Sequence, residues 1–487
     1  MLFNSFHFAV FFPVVFALYW FLTNKSLKIQ NLLLLFSSYF FYACWDYKFL
    51  FLLVFSTLLD YYSAIKIHKS DTIIQKKIWF WFSIIINLGF LGIFKYYNFF
   101  ADSLVKSLHH IGLEVDLWTL SIILPVGISF YTFHGLSYVI DVYKQRIKPS
   151  NSFIEYGVFV SFFPLLVAGP IERATHLLPQ IQKHRQFKYG NAVNGAKQIL
   201  WGLFKKIVIA DNCAEYANII FNGSANYSGT TLLLGAIFFT FQIYCDFSGY
   251  SDIALGTARL LGIELLQNFS FPYFSRDIAE FWRRWHISLS SWFKDYIYFP
   301  LGGSKGGILM KIRNTFIIFL LSGFWHGANW TFIAWGLLNA VYFLPSLLFN
   351  TNRNNIEIVA KGQYLPSIGE FFSISLTFSL TVFAWIFFRA ENLNHAFTYI
   401  STMAQGLFMK SAYIQTYNFL FWQVNIAIII LTILFVIVEW FGRESKYAIE
   451  NLGVNWNKSL RWSMYYAIVF MIFYFTGKEQ QFIYFQF

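Results

Sequence analysis

Hydrophobic positions in this chain come in long blocks separated by short polar connections. The blocks fall at residues 6–22, 31–45, 49–65, 78–100, 118–142, 153–168, 230–261, 315–348, 368–388, 419–440 and 462–475. About 20 apolar residues in a helix cross a bilayer, so the pattern predicts about eleven membrane segments. The expected fold is all-α, a polytopic transmembrane helical bundle forming a single integral-membrane domain over 1–487. The block at 31–45 is short enough to be tilted or re-entrant. No small-residue cleavage site follows the first block, which is therefore expected to be retained as a span. No solenoid or inverted repeat is visible.

Two interruptions break the apolar pattern, at Pro125-Val126-Gly127 and at Pro300-Leu301-Gly302-Gly303. Non-helical backbone at membrane depth is tolerated only where protein or a cavity re-satisfies its polar groups. After the first break, Tyr131, His134, Tyr138 and Asp141 share one helix face. Core packing explains that face about as well as a cavity lining does. Residues 197–212 mix apolar positions with Lys205 and Lys206, the pattern of a helix lying at the membrane interface. The basic stretch 183–188 reads as a solvated loop.

The longest stretch without a convincing span is 271–311. Asp277 is placed to cap a helix over 278–293 whose third residue is Glu280, an arrangement like a capping box. Trp282 and His286 would then lie one turn apart on one face, with Glu280 and Arg284 paired on another.

Composition agrees with the block pattern: 57% hydrophobic, 22% aromatic and 12% charged over 487 residues. The net charge of +12 sits mainly in the polar connections. Lysines 66, 69, 76 and 77 cluster between two blocks and mark a cytoplasmic face. The positive-inside bias explains the charge without a nucleic-acid partner. Cys44, Cys213 and Cys245 form no CxxC pattern, so neither a disulfide framework nor a zinc site is indicated.

Two histidines stand out against this background. His326 lies deep in the 315–348 block, within Ser322-Gly323-Phe324-Trp325-His326-Gly327-Ala328-Asn329-Trp330. Ionisable groups inside spans are costly and mark functional sites by default. The alternative is a packing histidine bonded across helices. His286 lies in Phe281-Trp282-Arg283-Arg284-Trp285-His286-Ile287-Ser288-Leu289-Ser290, aromatic, basic and hydroxylated at once. That run suits an interfacial helix whose arginines meet headgroups as well as the wall of a donor site, where Arg283 and Arg284 would hold phosphates. The acids in 244–252 suit pairing with arginine at least as well as catalysis.

No nucleophile elbow, phosphate loop, zinc cluster or dinucleotide fingerprint is present. A buried histidine is held neutral and can accept a proton at pH 7. Acyl transfer from a thioester to a hydroxyl needs little more than such a base, and the sequence permits that chemistry without requiring it.

Six segments carry a resemblance, in this order: 124–134 (LPVGISFYTFH), 163–173 (FPLLVAGPIER), 244–252, 268–273 (NFSFPY), 280–291 and 322–336. Together they resemble the membrane-bound O-acyltransferase (MBOAT) superfamily, in its bacterial branch of AlgI-like alginate and PatA-like peptidoglycan O-acetyltransferases. The resemblance covers most of the chain, with core motifs over 124–336 and an aromatic tail at 480–487.

It implies about eleven membrane helices around a central tunnel. It implies His326 as the catalytic base and His286 as a helper nearer the donor, with Trp282, Trp285, Trp325 and Asn329 lining the tunnel. It further implies an acyl thioester, acetyl-CoA or similar, as co-substrate, with no permanently bound cofactor and no metal. Expected partners are membrane lipid, an SGNH-type acyltransferase outside the membrane and an exported polysaccharide. The expected setting is a bacterial cytoplasmic (inner) membrane. Tyr484 in the tail would be an acyl relay, a reading no better supported than a simple anchor. D-alanyl transfer to teichoic acid, a polysaccharide or small-molecule transporter and a structural scaffold are the competing readings. The two Pro/Gly breaks lack matching flanks, which counts against a transporter.

Overall fold

The computed structural model describes residues 1–487 except 116, 118, 121–123, 168, 478–479 and 484–487. Tyr484 therefore lies outside the described residues, as does Trp118 at the start of one apolar block. Every described regular element is a helix. Among the described residues six helices are long and apolar enough to cross a membrane: Tyr47–Lys69, Ile73–His110, Gly229–Leu260, Gly307–His326, Trp330–Leu348 and Ile368–Arg389. A seventh crossing results if Lys410–Gln423 and Ile426–Gly442, bent by 100° to each other, form one broken span.

The other apolar blocks make shorter helices. Leu27–Ala43 and Lys458–Tyr474 have 17 residues each and Ile128–Tyr143 has 16, about 24–26 Å at 1.5 Å per residue. Short polar residues set where many helices begin. Ser26, Asp46, Thr72, Ser152 and Asn457 each accept a backbone N–H from the first turn of the helix that follows.

Within the domain expected over 1–487, the chain gathers into two compact units, residues 1–195 with 257–266, and residues 196–256 with 267–487. In the first, the helices answer their own buried polar groups. Asp60 accepts from Ser83 Oγ at 2.6 Å and Asn87 Nδ2 at 2.7 Å. His134 Nε2 accepts the backbone N–H of Glu172, Tyr138 the N–H of Ser150, and Asp141 pairs with Arg146. The face 131/134/138/141 is thus a packed one.

The 183–188 stretch is not simply a solvated loop. Arg185 is buried and donates twice to Gln30 Oε1 and once to Asn31 Oδ1. Its guanidinium supplies several donors, and the two amides of the helix Leu27–Ala43 receive them.

The second unit corrects the interfacial reading of 197–212. Lys205 and Lys206 are buried, not turned to headgroups. Lys205 Nζ lies 2.6 Å from Asp252 and donates to Ser248, while Lys206 Nζ lies 2.7 Å from Asp211 and 2.8 Å from Asp246. These acids pair with lysine, where arginine was expected. Both lysines sit on a widened π turn, Phe204–Ala210.

The helices Gly307–His326 and Trp330–Leu348 form a tight hairpin. A Cβ at Gly323 would strike the Phe332 carbonyl, and one at Gly336 the Phe319 carbonyl, with Gly336 Cα and Gly323 Cα at 3.4 Å respectively. Glycine is what allows this backbone approach. Gly336→Val should therefore destabilise the chain by about 1–3 kcal/mol through overpacking. In detergent this is read as a lowered melting temperature, whereas Gly89→Ala, where an added Cβ meets nothing within 4 Å, should not lower it.

Candidate active site

His326 is the last residue of its helix. Gly327 follows in an extended conformation, and Asn329 caps the next helix by accepting the Thr331 N–H at 3.1 Å. The apolar block 315–348 is thereby cut just after the histidine. The His326 ring is buried among Trp325, Trp335 and Phe388, with centroids at 4.9, 5.2 and 5.2 Å. A helix C-terminus is the negative end of the macrodipole and favours a positive charge by about 0.3–2 kcal/mol. That end of the helix suits an imidazole that takes up a proton.

The continuous helix expected over 278–293 is instead two short ones, Ile278–Arg284 and Ile287–Phe293, separated at Trp285 and His286. Asp277 caps the first as expected, accepting the Glu280 N–H at 2.6 Å. The Glu280 carboxylate pairs with Arg284 at 2.8 Å and with Arg276 at 3.0 Å. It accepts the N–H of Arg276, not that of Asp277, so the box is not closed.

His286 breaks the helix by adopting left-handed backbone angles, φ 43° and ψ 54°. Such a conformation is disfavoured by about 1–2 kcal/mol for a residue with a Cβ. The segment 268–270 holds it in place, with Ile287 N–H on the Asn268 carbonyl, Ser270 N–H on the Arg284 carbonyl and Ser288 Oγ on Asn268 Oδ1.

The break turns His286 inward. Its ring is fully buried, 4.7 Å edge-on to Phe247 and 6.0 Å from Trp325. Trp325 thus touches both histidines. Around them Trp282 packs on Phe319 and Trp335, Trp285 on Trp385, and Trp335 stacks on Trp385 at 5.6 Å. Trp282, Trp285 and Trp325 therefore belong to one aromatic cluster with both histidines. Asn329 does not, since its side chain is occupied by the helix cap and the Glu391 carbonyl.

A sequence model of the MBOAT, membrane-bound O-acyltransferase, family matches residues 142–388, which include both histidines. The peptidoglycan O-acetyltransferase of Helicobacter pylori is 34% identical over 100% of this chain and 98% of its own length. The chain belongs to the membrane-bound O-acyltransferase family. The probable alginate O-acetylase AlgI of Pseudomonas aeruginosa is 38% identical over 81% of this acyltransferase and 73% of its own length. The teichoic acid D-alanyltransferase of Bacillus subtilis is 29% identical over 55% of this acyltransferase.

The arginines of this acyltransferase expected at a donor site already have partners. Arg284 is paired with Glu280, and Arg283 donates to the carbonyls of Asn352 and Asn355, tying down the polar connection 349–367. Among the described residues no group of three or more metal-ligating side chains is assembled. Trp335, Trp385, Phe388 and Phe247 were not singled out by sequence, because each is one aromatic in an apolar span rich in them. Tyr244, whose hydroxyl donates to Glu439 at 2.6 Å, lines an apolar cavity of about 240 Å³ with Phe241, Tyr273 and Phe378.

His286, which lies in none of the long apolar helices, has its pKa lowered by burial to about 3. The folded value is below the unfolded value of about 6.5, so protons favour the unfolded chain, and stability present above pH 6.5 is lost as pH falls towards 3. The slope is at most about 1.4 kcal/mol per pH unit. His286→Asn, which tolerates left-handed angles, should flatten the fall in melting temperature between pH 6.5 and 5 relative to wild type.

Proposed function

We propose that this acyltransferase moves an acetyl group from a cytoplasmic thioester, acetyl-CoA or similar, across the bacterial inner membrane for O-acetylation of an exported cell-surface polysaccharide. The observation that carries this reading is the pair of buried histidines joined through Trp325, with His326 ending its helix. The relatives named for alginate and peptidoglycan O-acetylation supply the acceptor class.

In this mechanism the His326 imidazole takes the proton of the acceptor hydroxyl as the oxygen attacks the thioester carbonyl. The new C–O bond forms, the C–S bond breaks, and the thiolate leaves with the proton returned from His326. The aromatic walls exclude water that would hydrolyse the thioester. His286 is assigned to positioning on the donor side. Arg283 and Arg284 would have to exchange their present partners to hold donor phosphates, so they are assigned no step. Tyr484 is the proposed relay hydroxyl, and an SGNH-type protein outside the membrane the proposed recipient. The shorter match to a D-alanyltransferase makes D-alanyl transfer to teichoic acid the second reading.

Losing a general base costs on the order of 10²–10⁴ in rate. His326→Ala should therefore remove ester-linked acetate from the surface polysaccharide, released by mild base, at normal membrane levels of protein. His286→Ala should lower it less. Unchanged acetate in both variants would return the histidines to packing roles, and base-released D-alanine in place of acetate would favour the second reading.

A further inference from the structure

Lys206, one of the two buried lysines of the second unit, has a contact that the chemistry above does not use. Lys206 Nζ, already between Asp211 and Asp246, donates to the backbone carbonyl of Gln480 at 3.3 Å. Asp246 Oδ2 in turn accepts the backbone N–H of Ile483 at 2.7 Å. One buried ion pair therefore grips the chain at two points three residues apart, and both points are main-chain atoms.

The segment on either side is held in the same manner. Asn212 Nδ2 donates to the Phe475 carbonyl at 3.1 Å, and Asn218 Nδ2 to the Gln480 side chain at 3.5 Å. Phe482 and Ile483 are completely buried. The Phe482 ring packs on Tyr250 at 4.3 Å and on Phe247 at 6.2 Å, and Phe247 lies edge-on against His286. One ring, that of Phe247, separates Phe482 from the second histidine.

We infer that Lys206 and Asp246 are positioning residues that clamp the carboxy-terminal segment by its backbone against the Phe247–His286 face of the site. The main-chain grip explains why two charges are kept at depth. A carbonyl and an N–H leaving helical structure in an apolar surrounding must find partners, and a Lys–Asp pair supplies one donor and one acceptor together. Asp211 supplies a second carboxylate to the same ammonium. That the clamp serves catalysis rests on the acyltransferase reading; that it exists does not.

Hydrogen–deuterium exchange on the full chain in detergent tests the clamp, alongside acetate transfer in cells. In wild type the amides of 480–483 should be protected. Lys206→Met should raise their exchange at least tenfold, with peptides covering 278–293 and 316–335 unchanged. Should Lys206→Met unfold the bundle, seen as faster exchange in those peptides too, Ile483→Pro decides instead. It deletes the N–H that Asp246 accepts and leaves the ion pairs in place, and Ile483→Ala controls for the side chain lost with it.

Ile483→Pro should free the amides of 480–482 and lower acetate transfer at least tenfold, while Ile483→Ala, which keeps the N–H, retains transfer. Protection that survives in the variant that decides overturns the clamp. Full transfer by Ile483→Pro, with the tail freed, overturns its positioning role. A wild-type chain that transfers no acetate overturns the acetyltransferase reading, and the exchange data still decide the clamp.

Discussion

Lipid offers no hydrogen bonds, and the rest of this structure follows from that. Each polar group at depth has to be answered from within the protein or kept neutral. Asp60 is met by Ser83 and Asn87, Arg185 by Gln30 and Asn31, and Lys205 and Lys206 by three aspartates. The contacts of Asp60, of Lys205 with Asp252 and of Lys206 with Asp246 join different helices, so they fix register as well as satisfying charge. Removing one partner of a buried pair typically costs about 3–5 kcal/mol, since the other is left behind unpaired.

The same constraint decides what was legible in the sequence. Long apolar helices such as Ile368–Arg389 show as blocks because their composition alone records their surroundings. Local signals held too: Asp277 caps its helix, Glu280 pairs with Arg284, and the block 315–348 contains the histidine that ends a helix. Sequence patterns failed where the deciding partner lies far along the chain. Lys205 and Lys206 look interfacial until Asp246 and Asp252 are placed beside them. Arg185 looks solvated until the amides of residues 30 and 31 arrive more than 150 positions away. Nothing local announces that His286 leaves the helix, because the segment that holds it there, 268–270, is a separate stretch of chain.

The clustering of aromatic residues follows a related logic. An imidazole that exchanges protons needs a surrounding that neither hydrates it nor competes for its hydrogen bonds, and it must remain accessible to a reactant. Trp335, Trp385 and Phe388 supply bulk around His326 that brings no side-chain acceptor and no polar group beyond the indole N–H. Glycine at 323 and 336 lets the two helices approach closely enough to bring the Trp335 ring against His326. The hairpin and the aromatic cluster are therefore one construction: widening the helix crossing would also open the wall.

The two histidines are set apart by helix polarity. His326 closes the carboxyl end of a 20-residue helix, the negative end of the helix dipole, which favours a cation. His286 stands immediately before the amino end of the helix Ile287–Phe293, the positive end of the helix dipole, which disfavours one. Burial pushes in the same direction at His286, whose pKa lies near 3. Both rings are buried and both touch Trp325, so differences in packing do not distinguish them. Backbone electrostatics does. A helix ends at His326 and another begins just after His286, and this difference supports the proposed roles, His326 as base and His286 as a positioning group.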